Sequence, residues 1–112
     1  MLIKVIDVIG KDICVSSEDG EKLHEQIKLS LQKDDTTEIS FSGIKMIISV
    51  FLNTAIGQLY GEFSEDEIRK KLKVNDIEQE DVELLGRVVT NAKRYYKNSK
   101  EYDKAWEDSN NG

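Results

Sequence analysis

The stretch Phe41-Ser42-Gly43-Ile44-Lys45-Met46-Ile47-Ile48-Ser49-Val50-Phe51-Leu52-Asn53-Thr54-Ala55-Ile56-Gly57-Gln58-Leu59-Tyr60 decides the fold class of this chain. Its opening residues finish an alternating run, Glu38-Ile39-Ser40-Phe41-Ser42, in which Ile39 and Phe41 fall on one face. That is the period of a half-buried strand. Gly43 to Ser49 reads as a loop of unusual apolar content, with Ile44, Met46, Ile47 and Ile48. From about Val50 to Tyr60 the period changes. Phe51, Ala55 and Leu59 form one line and Leu52, Ile56 and Tyr60 a second beside it, which predicts a helix largely buried against the sheet. Gly57 inside that helix costs about 1 kcal/mol relative to alanine, so close packing against a neighbour is expected there.

Working outward towards the start, Leu2 to Ile9 is apolar except for Lys4 and Asp7 and reads as a strand covered on both faces. Gly10-Lys11-Asp12 makes a reversal and Ile13-Cys14-Val15 a second short strand, so a hairpin is expected. Ser16 with Asp19 three residues on signals a helix start, and Leu23, Ile27 and Leu31 give one stripe until Lys33-Asp34-Asp35. Towards the other end, Ser64-Glu65-Asp66-Glu67 is a capping box that starts a short helix with Ile68 and Leu72 inward. Lys73-Val74-Asn75 reads as a fourth short strand. Gln79 to Lys97 is the longest helix, with Val82, Leu85, Val88, Val89, Ala92 and Tyr96 at spacings of three and four. Acids crowd its start and bases its end, matching the helix dipole. The expected architecture is α/β, a small mixed sheet of about four strands with four helices packed on it, spanning residues 1–97. Residues 98–112 read as a polar C-terminal tail, in which Tyr102 and Trp106 stand four apart.

The composition narrows function. The 112 residues fit one domain, and 22 acids against 16 bases give a net charge of -6. Such a surface repels phosphate backbones, so no nucleic-acid partner is expected. Arg69, Lys70, Lys71 and Lys73 form the one basic cluster and read as the solvated side of a helix. No apolar run approaches the roughly 20 residues that span a bilayer, and the apolar run at Met1-Leu2-Ile3-Lys4 is too short for a signal peptide. No membrane partner is expected, and the cytoplasm is the expected compartment. With a single cysteine there is no intramolecular disulfide.

Chemistry finds few candidates. Cys14 and His24 are the sole Cys/His combination and read as a structural thiol and a surface imidazole. They cannot fill a tetrahedral metal site, and no loop has calcium-binding spacing. The carboxylate pairs Asp34-Asp35, Glu65-Asp66 and Glu80-Asp81 sit at predicted helix ends, where capping explains them. No glycine-rich phosphate loop is present. Neither cofactor, metal nor enzymatic activity is expected. Ser49, at the entry of the buried helix, reads as a helix cap or as a phosphoacceptor.

At this same stretch the sequence resembles the STAS domains of anti-sigma-factor antagonists and transporter tails. Their strand leads through an apolar pair into a serine-bearing turn and a helix, a cadence matched by Ile39-Ser40-Phe41-Ser42-Gly43-Ile44 and Met46-Ile47-Ile48-Ser49. More specifically it is similar, over roughly residues 1–97, to the bacterial STAS-like family of unknown function, in Phe51-Leu52-Asn53, Ala55-Ile56-Gly57, Leu59-Tyr60 and in the later Asp81, Glu83-Leu84-Leu85, Arg87-Val88-Val89, Asn91-Ala92-Lys93 and Tyr95-Tyr96. The resemblance implies a regulatory protein-protein interaction module, a partner-switching component that docks on an anti-sigma or GHKL-type, histidine-kinase-like ATPase. In the antagonists a serine of the turn is phosphorylated and the partner released. Ser49 is the serine near that turn here, with Ile48 in place of the antagonists' acid and Val50 in place of their second serine. The partner-binding candidates are Ile44, Met46, Ile48, Val50, Phe51, Asn53 and Thr54. Two other readings stay open: an acidic binding or inhibitor protein of a mobile-element or defence locus, and a small-ligand, nucleotide-binding domain.

Overall fold

The computed structural model describes the backbone of residues 1–111 and the side chains of residues 1–97. Along the chain run β1 (Leu2–Lys4), α1 (Val5–Ile9), β2 (Ile13–Cys14), α2 (Ser17–Gln32), β3 (Thr37–Ser40) and β4 (Met46–Ile47). There follow α3 (Ser49–Ala55), a 3-10 helix (Gly57–Gly61), α4 (Glu65–Lys71), β5 (Leu72–Asn75) and α5 (Gln79–Asn111). The architecture is α/β. Among the described residues the strands form a three-stranded sheet in the order β1-β3-β5 and a separate pair, β2-β4.

Among the described residues every pairing is parallel: the expected α/β class with a small sheet and packed helices holds, and the expected hairpin, with the antiparallel pairing it implied, is corrected. The physical reason lies in Val5 to Ile9. These β-branched residues suit a strand by composition, yet Val5 and Ile9, four apart, are both buried while Asp7 between them is exposed. That is a helical period. Gly10 closes the turn at φ 72, its N–H donating to the Ile6 carbonyl at 3.0 Å, the left-handed stop that glycine makes cheaply. The chain therefore crosses over instead of folding back, as parallel strands require. Ile3, Ile39 and Val74 stand in register across the three strands and make an apolar row.

The stripe on α2 is buried as expected, with Leu23 and Ile27 at 0% exposure and Leu31 at 4%; each such side chain contributes about 1.5–3 kcal/mol. Ser16 caps α2 by accepting the Asp19 N–H at 3.1 Å. The Ser64–Glu67 capping box opens α4, and the fourth expected strand is β5. Residues 50–60 are not one helix: α3 ends at Ala55 and a 3-10 turn follows. A Cβ on Gly57 would sit 3.6–3.8 Å from Asn53, Ala92 and Val88, ordinary contact distances that bring α5 against this break. The boundary drawn at residue 97 falls inside α5, and the Tyr102–Trp106 expectation concerns side chains outside the described residues.

The principal neighbour of α3 is α2. Gly20 permits their approach: a Cβ there would lie 2.9 Å from the Thr54 Cβ and 3.0 Å from the Phe51 carbonyl oxygen. Since one obstacle is backbone, the helices must part to admit a methyl group. Gly20→Ala is expected to destabilise the fold by about 1–3 kcal/mol, lowering Tm by roughly 4–8 °C per kcal/mol. A thermal melt superimposable on that of the parent would show that α2 and α3 separate here without cost.

Candidate functional site

The site is built by strand alternation in the β2-β4 pair. Ile13 pairs with Met46 and Cys14 with Ile47. Successive side chains point to opposite faces, so Cys14 and Ile47 turn inward while Ile13 and Met46 are 37% and 53% exposed. Ile48, two residues after Met46, is 38% exposed, and Val50 in the first turn of α3 is 44% exposed. Four large aliphatic side chains thus face water at the β2-β4 end of the molecule. At their border the Lys45 ammonium lies 3.4 Å from Asp12, and the Lys45 N–H donates to the Asp12 carbonyl at 2.7 Å.

Of the residues singled out in the sequence, Met46, Ile48, Val50 and Asn53 are exposed. Ile44 is half-buried against the core, and Thr54 is half-buried beside Gly20 with its hydroxyl donating to the Val50 carbonyl at 2.9 Å. Phe51 is corrected: it is fully buried in the core and can touch no partner. Its neighbour Val50 points out because adjacent helical positions lie about 100° apart. Ser49 is exposed, but it is the first residue within α3 and not its cap. The cap position needs extended dihedrals, and Ile48 holds it at φ -118, ψ 163 without a side-chain bond. Ile13 escaped the sequence reading because the expected hairpin put β2 beside β1. The signal that finds it is the shared alternation of Ile13-Cys14 and Met46-Ile47.

Cys14 and His24 are not brought into a dyad. Cys14 is buried, and burial pushes its thiol up to about 12, with the charges of Asp19 and Asp81 adding to the effect. His24 is also buried, at 3% exposure, which corrects the surface reading. Its Nδ1 faces the Ala55 carbonyl at 3.4 Å and its Nε2 the Glu62 carboxylate at 2.6 Å, where Lys28 joins at 3.0 Å. Both ring nitrogens are thus committed, one to the end of α3 and the other to the residue after the 3-10 helix, holding both on α2. Asp19 is the buried carboxylate, 2% exposed, in the first turn of α2. The Lys11 ammonium stands 3.0 Å from its Oδ2, held there by charge without hydrogen-bond alignment, and Lys22 lies 3.6 Å from Oδ1. Lys11 outweighs the opposing effect of burial and, with Ser16 and Lys22, keeps the Asp19 carboxyl below the usual carboxylate range. Among the described residues no group of three His, Cys, Asp or Glu side chains converges as a metal site, and no helix is long and apolar enough to cross a membrane.

Two outcomes follow for the charged and thiol groups. At pH 8 a thiol near 12 is about one part in 10,000 thiolate, so Cys14 is expected to react with a disulfide reagent only after denaturation; a prompt full thiol titre on the native chain would contradict this. Asp19 has a folded-state pKa below its unfolded value of about 3.9. Its contribution is therefore complete above the unfolded value and lost as pH falls through the folded one. The stability advantage of the parent over Asp19→Asn is expected to be constant from pH 7 to pH 5 and to shrink towards pH 3, measured by urea unfolding. A gap that widens on acidification would reverse the sign argued here.

The model of a family described as a STAS-like domain of unknown function (DUF4325) matches residues 19–82. That span runs from Asp19 in the first turn of α2, through β3, β4, α3, α4 and β5, to Val82 in α5. No curated protein and no solved structure is matched. With more than half of its length covered, across the elements that carry the exposed Met46-Ile48-Val50 surface, the chain belongs to this STAS-like family.

Proposed function

We propose that this chain is a non-enzymatic regulatory module that docks on a partner protein through the surface of Ile13, Met46, Ile48 and Val50. The partner class implied by the STAS resemblance is a GHKL-type ATPase, and a cytoplasmic location goes with it. One observation carries the docking reading: the outward pair Ile13 and Met46 is continued by Ile48 and Val50, all between 37% and 53% exposed. Leaving such side chains in water forgoes stabilisation that a partner recovers by covering them.

Ser49 lies between Ile48 and Val50 with its side chain exposed. A phosphoryl group there adds about -1.5 to -2 charges. Docking would then require stripping water from a dianion beside aliphatic side chains, so phosphorylation releases the partner by desolvation cost. No rearrangement of the fold is needed.

The test is calorimetric titration of the purified chain against a GHKL-type ATPase from the same source. Met46→Asp and Ile48→Asp are expected to weaken binding at least about tenfold, which is 1.4 kcal/mol, with an unchanged circular dichroism spectrum. Ser49→Asp is expected to do the same and Ser49→Ala to bind like the parent. If both aspartates at 46 and 48 bind normally, the interface lies elsewhere. If Ser49→Asp alone binds normally, the surface stands and the switch does not.

A further inference from the structure

A concave site lies where the residues after α3 meet α4, β5 and α5. It is a cleft of about 270 Å³ lined by Ile56, Tyr60, Glu65, Ile68, Arg69, Leu72, Val74 and Lys93. Its walls divide by chemistry. Ile56, Ile68, Leu72 and Val74 give an aliphatic floor, of which Ile56 and Ile68 belong to the buried core at 2% and 3% exposure. Tyr60 is half-buried, and two cations, Arg69 and Lys93, reach the rim from different helices.

Neither cation is fully engaged among the described residues. Arg69 meets Asp66 through one terminal nitrogen at 2.5 Å, while a guanidinium carries five N–H donors in a planar fork. Lys93 lies 3.8 Å from Glu65, the outer edge of an ion pair, and 5.9 Å from the centre of the Tyr60 ring, the outer edge of a cation-π contact. The rim therefore has donors to spare: Arg69 and Lys93 stand against the carboxylates of Asp66 and Glu65, so the locality is neutral in a chain whose total is -6. The volume falls just under the roughly 300–1,000 Å³ of drug-sized ligand sites, which limits the occupant to a small molecule.

We propose that this cleft binds a small amphipathic anion, an aliphatic monocarboxylate whose chain covers Ile56, Ile68, Leu72 and Val74 while its carboxylate is held between Arg69 and Lys93. An aliphatic floor alone takes any apolar body; the cations select the anion. Arg69 supplies two parallel N–H donors, the geometry a carboxylate accepts best, and Lys93 exchanges its long contact with Glu65 for the ligand. The site is independent of the docking surface and stands whether or not that surface has a partner.

The probe is octanoate, titrated into the isotopically labelled full chain and followed by methyl and backbone NMR, beside octanol and octylammonium at equal concentration. Octanoate is expected to bind in the millimolar range or tighter and to shift the signals of Ile56, Ile68, Leu72 and Val74. Octanol and octylammonium are expected to be at least about tenfold weaker. Arg69→Glu and Lys93→Glu, both on exposed positions, should each cut octanoate affinity about tenfold and leave the remaining spectrum in place. Absence of shifts in those four residues up to the solubility limit overturns the proposal. So does equal binding of all three probes, or octanoate binding indifferent to both charge reversals.

Discussion

The contact on which the rest of this structure depends is the approach of α2 and α3 at Gly20. Without a side chain at that position the Phe51 carbonyl and the Thr54 side chain come within the space a methyl group would need. Polar contacts then run along the same seam. Gln58 donates to Glu21 at 3.0 Å, His24 faces both Ala55 and Glu62, and Lys28 completes the pair with Glu62. Packing sets the distance between the two helices; His24 to Ala55 ties the end of α3 to α2, and Gln58 and Glu62 tie the 3-10 turn and its following residue to the same helix. Once α3 cannot roll, Phe51, Leu52 and Ala55 must face the core, and Val50 and Asn53 must face water. The exposed aliphatic surface is thus a consequence of the seam.

Buried polar groups elsewhere do similar work at the junctions between elements. Ser30 and Thr37, both fully buried, share a hydrogen bond of 2.6 Å that ties the end of α2 to the start of β3. Ser40 donates to Asp76 at 2.6 Å and accepts the Ser42 N–H at 3.2 Å, joining the ends of β3 and β5. Lys71 pairs with Asp34 and so links the end of α4 to the turn after α2. Of these groups Ser30, Thr37 and Ser40 are buried and would be costly if left alone there, whereas Asp34 and Asp76 are exposed. Together they fix where the parallel strands start and stop, which short strands cannot do by ladder bonds alone.

What the sequence revealed follows from which signals are local. The stripe Leu23-Ile27-Leu31, the Ser16 cap and the Ser64–Glu67 box depend on spacing within one helix, and each is found where its residues imply. The α/β class and the STAS-like family were likewise readable from the residue 41–60 stretch. Partner choice among strands was not, because Val5 to Ile9 satisfies strand composition and helix spacing at once, and tertiary burial decides between them. The same ambiguity hid β4, two residues long, inside an apolar loop. His24 looked like a surface group because a polar residue beside an apolar stripe carries no mark of the carbonyl and carboxylate that will receive it. Ile13 became visible as a surface residue only when β2 was paired with β4. Long-range pairing, not side-chain chemistry, was the missing information.

The geometry also bears on how the two proposed surfaces are placed in so small a domain. Val50 at the start of α3 belongs to the aliphatic surface, and Ile56, just past its end, belongs to the floor of the cleft. About 10 Å of helix separates them. Nearness does not by itself couple two sites. Coupling requires an element with two arrangements of similar free energy, each favoured by a different ligand. The helix between these sites is held against α2 by the Gly20 contact and, at its end, by the Ala55 carbonyl that faces His24. The Gly20 contact lies between α2 and α3, and no residue of α2 lines the cleft, so the two proposed surfaces do not share that seam. In the reading proposed above, regulation of docking acts on the aliphatic surface directly, through the exposed Ser49 between Ile48 and Val50.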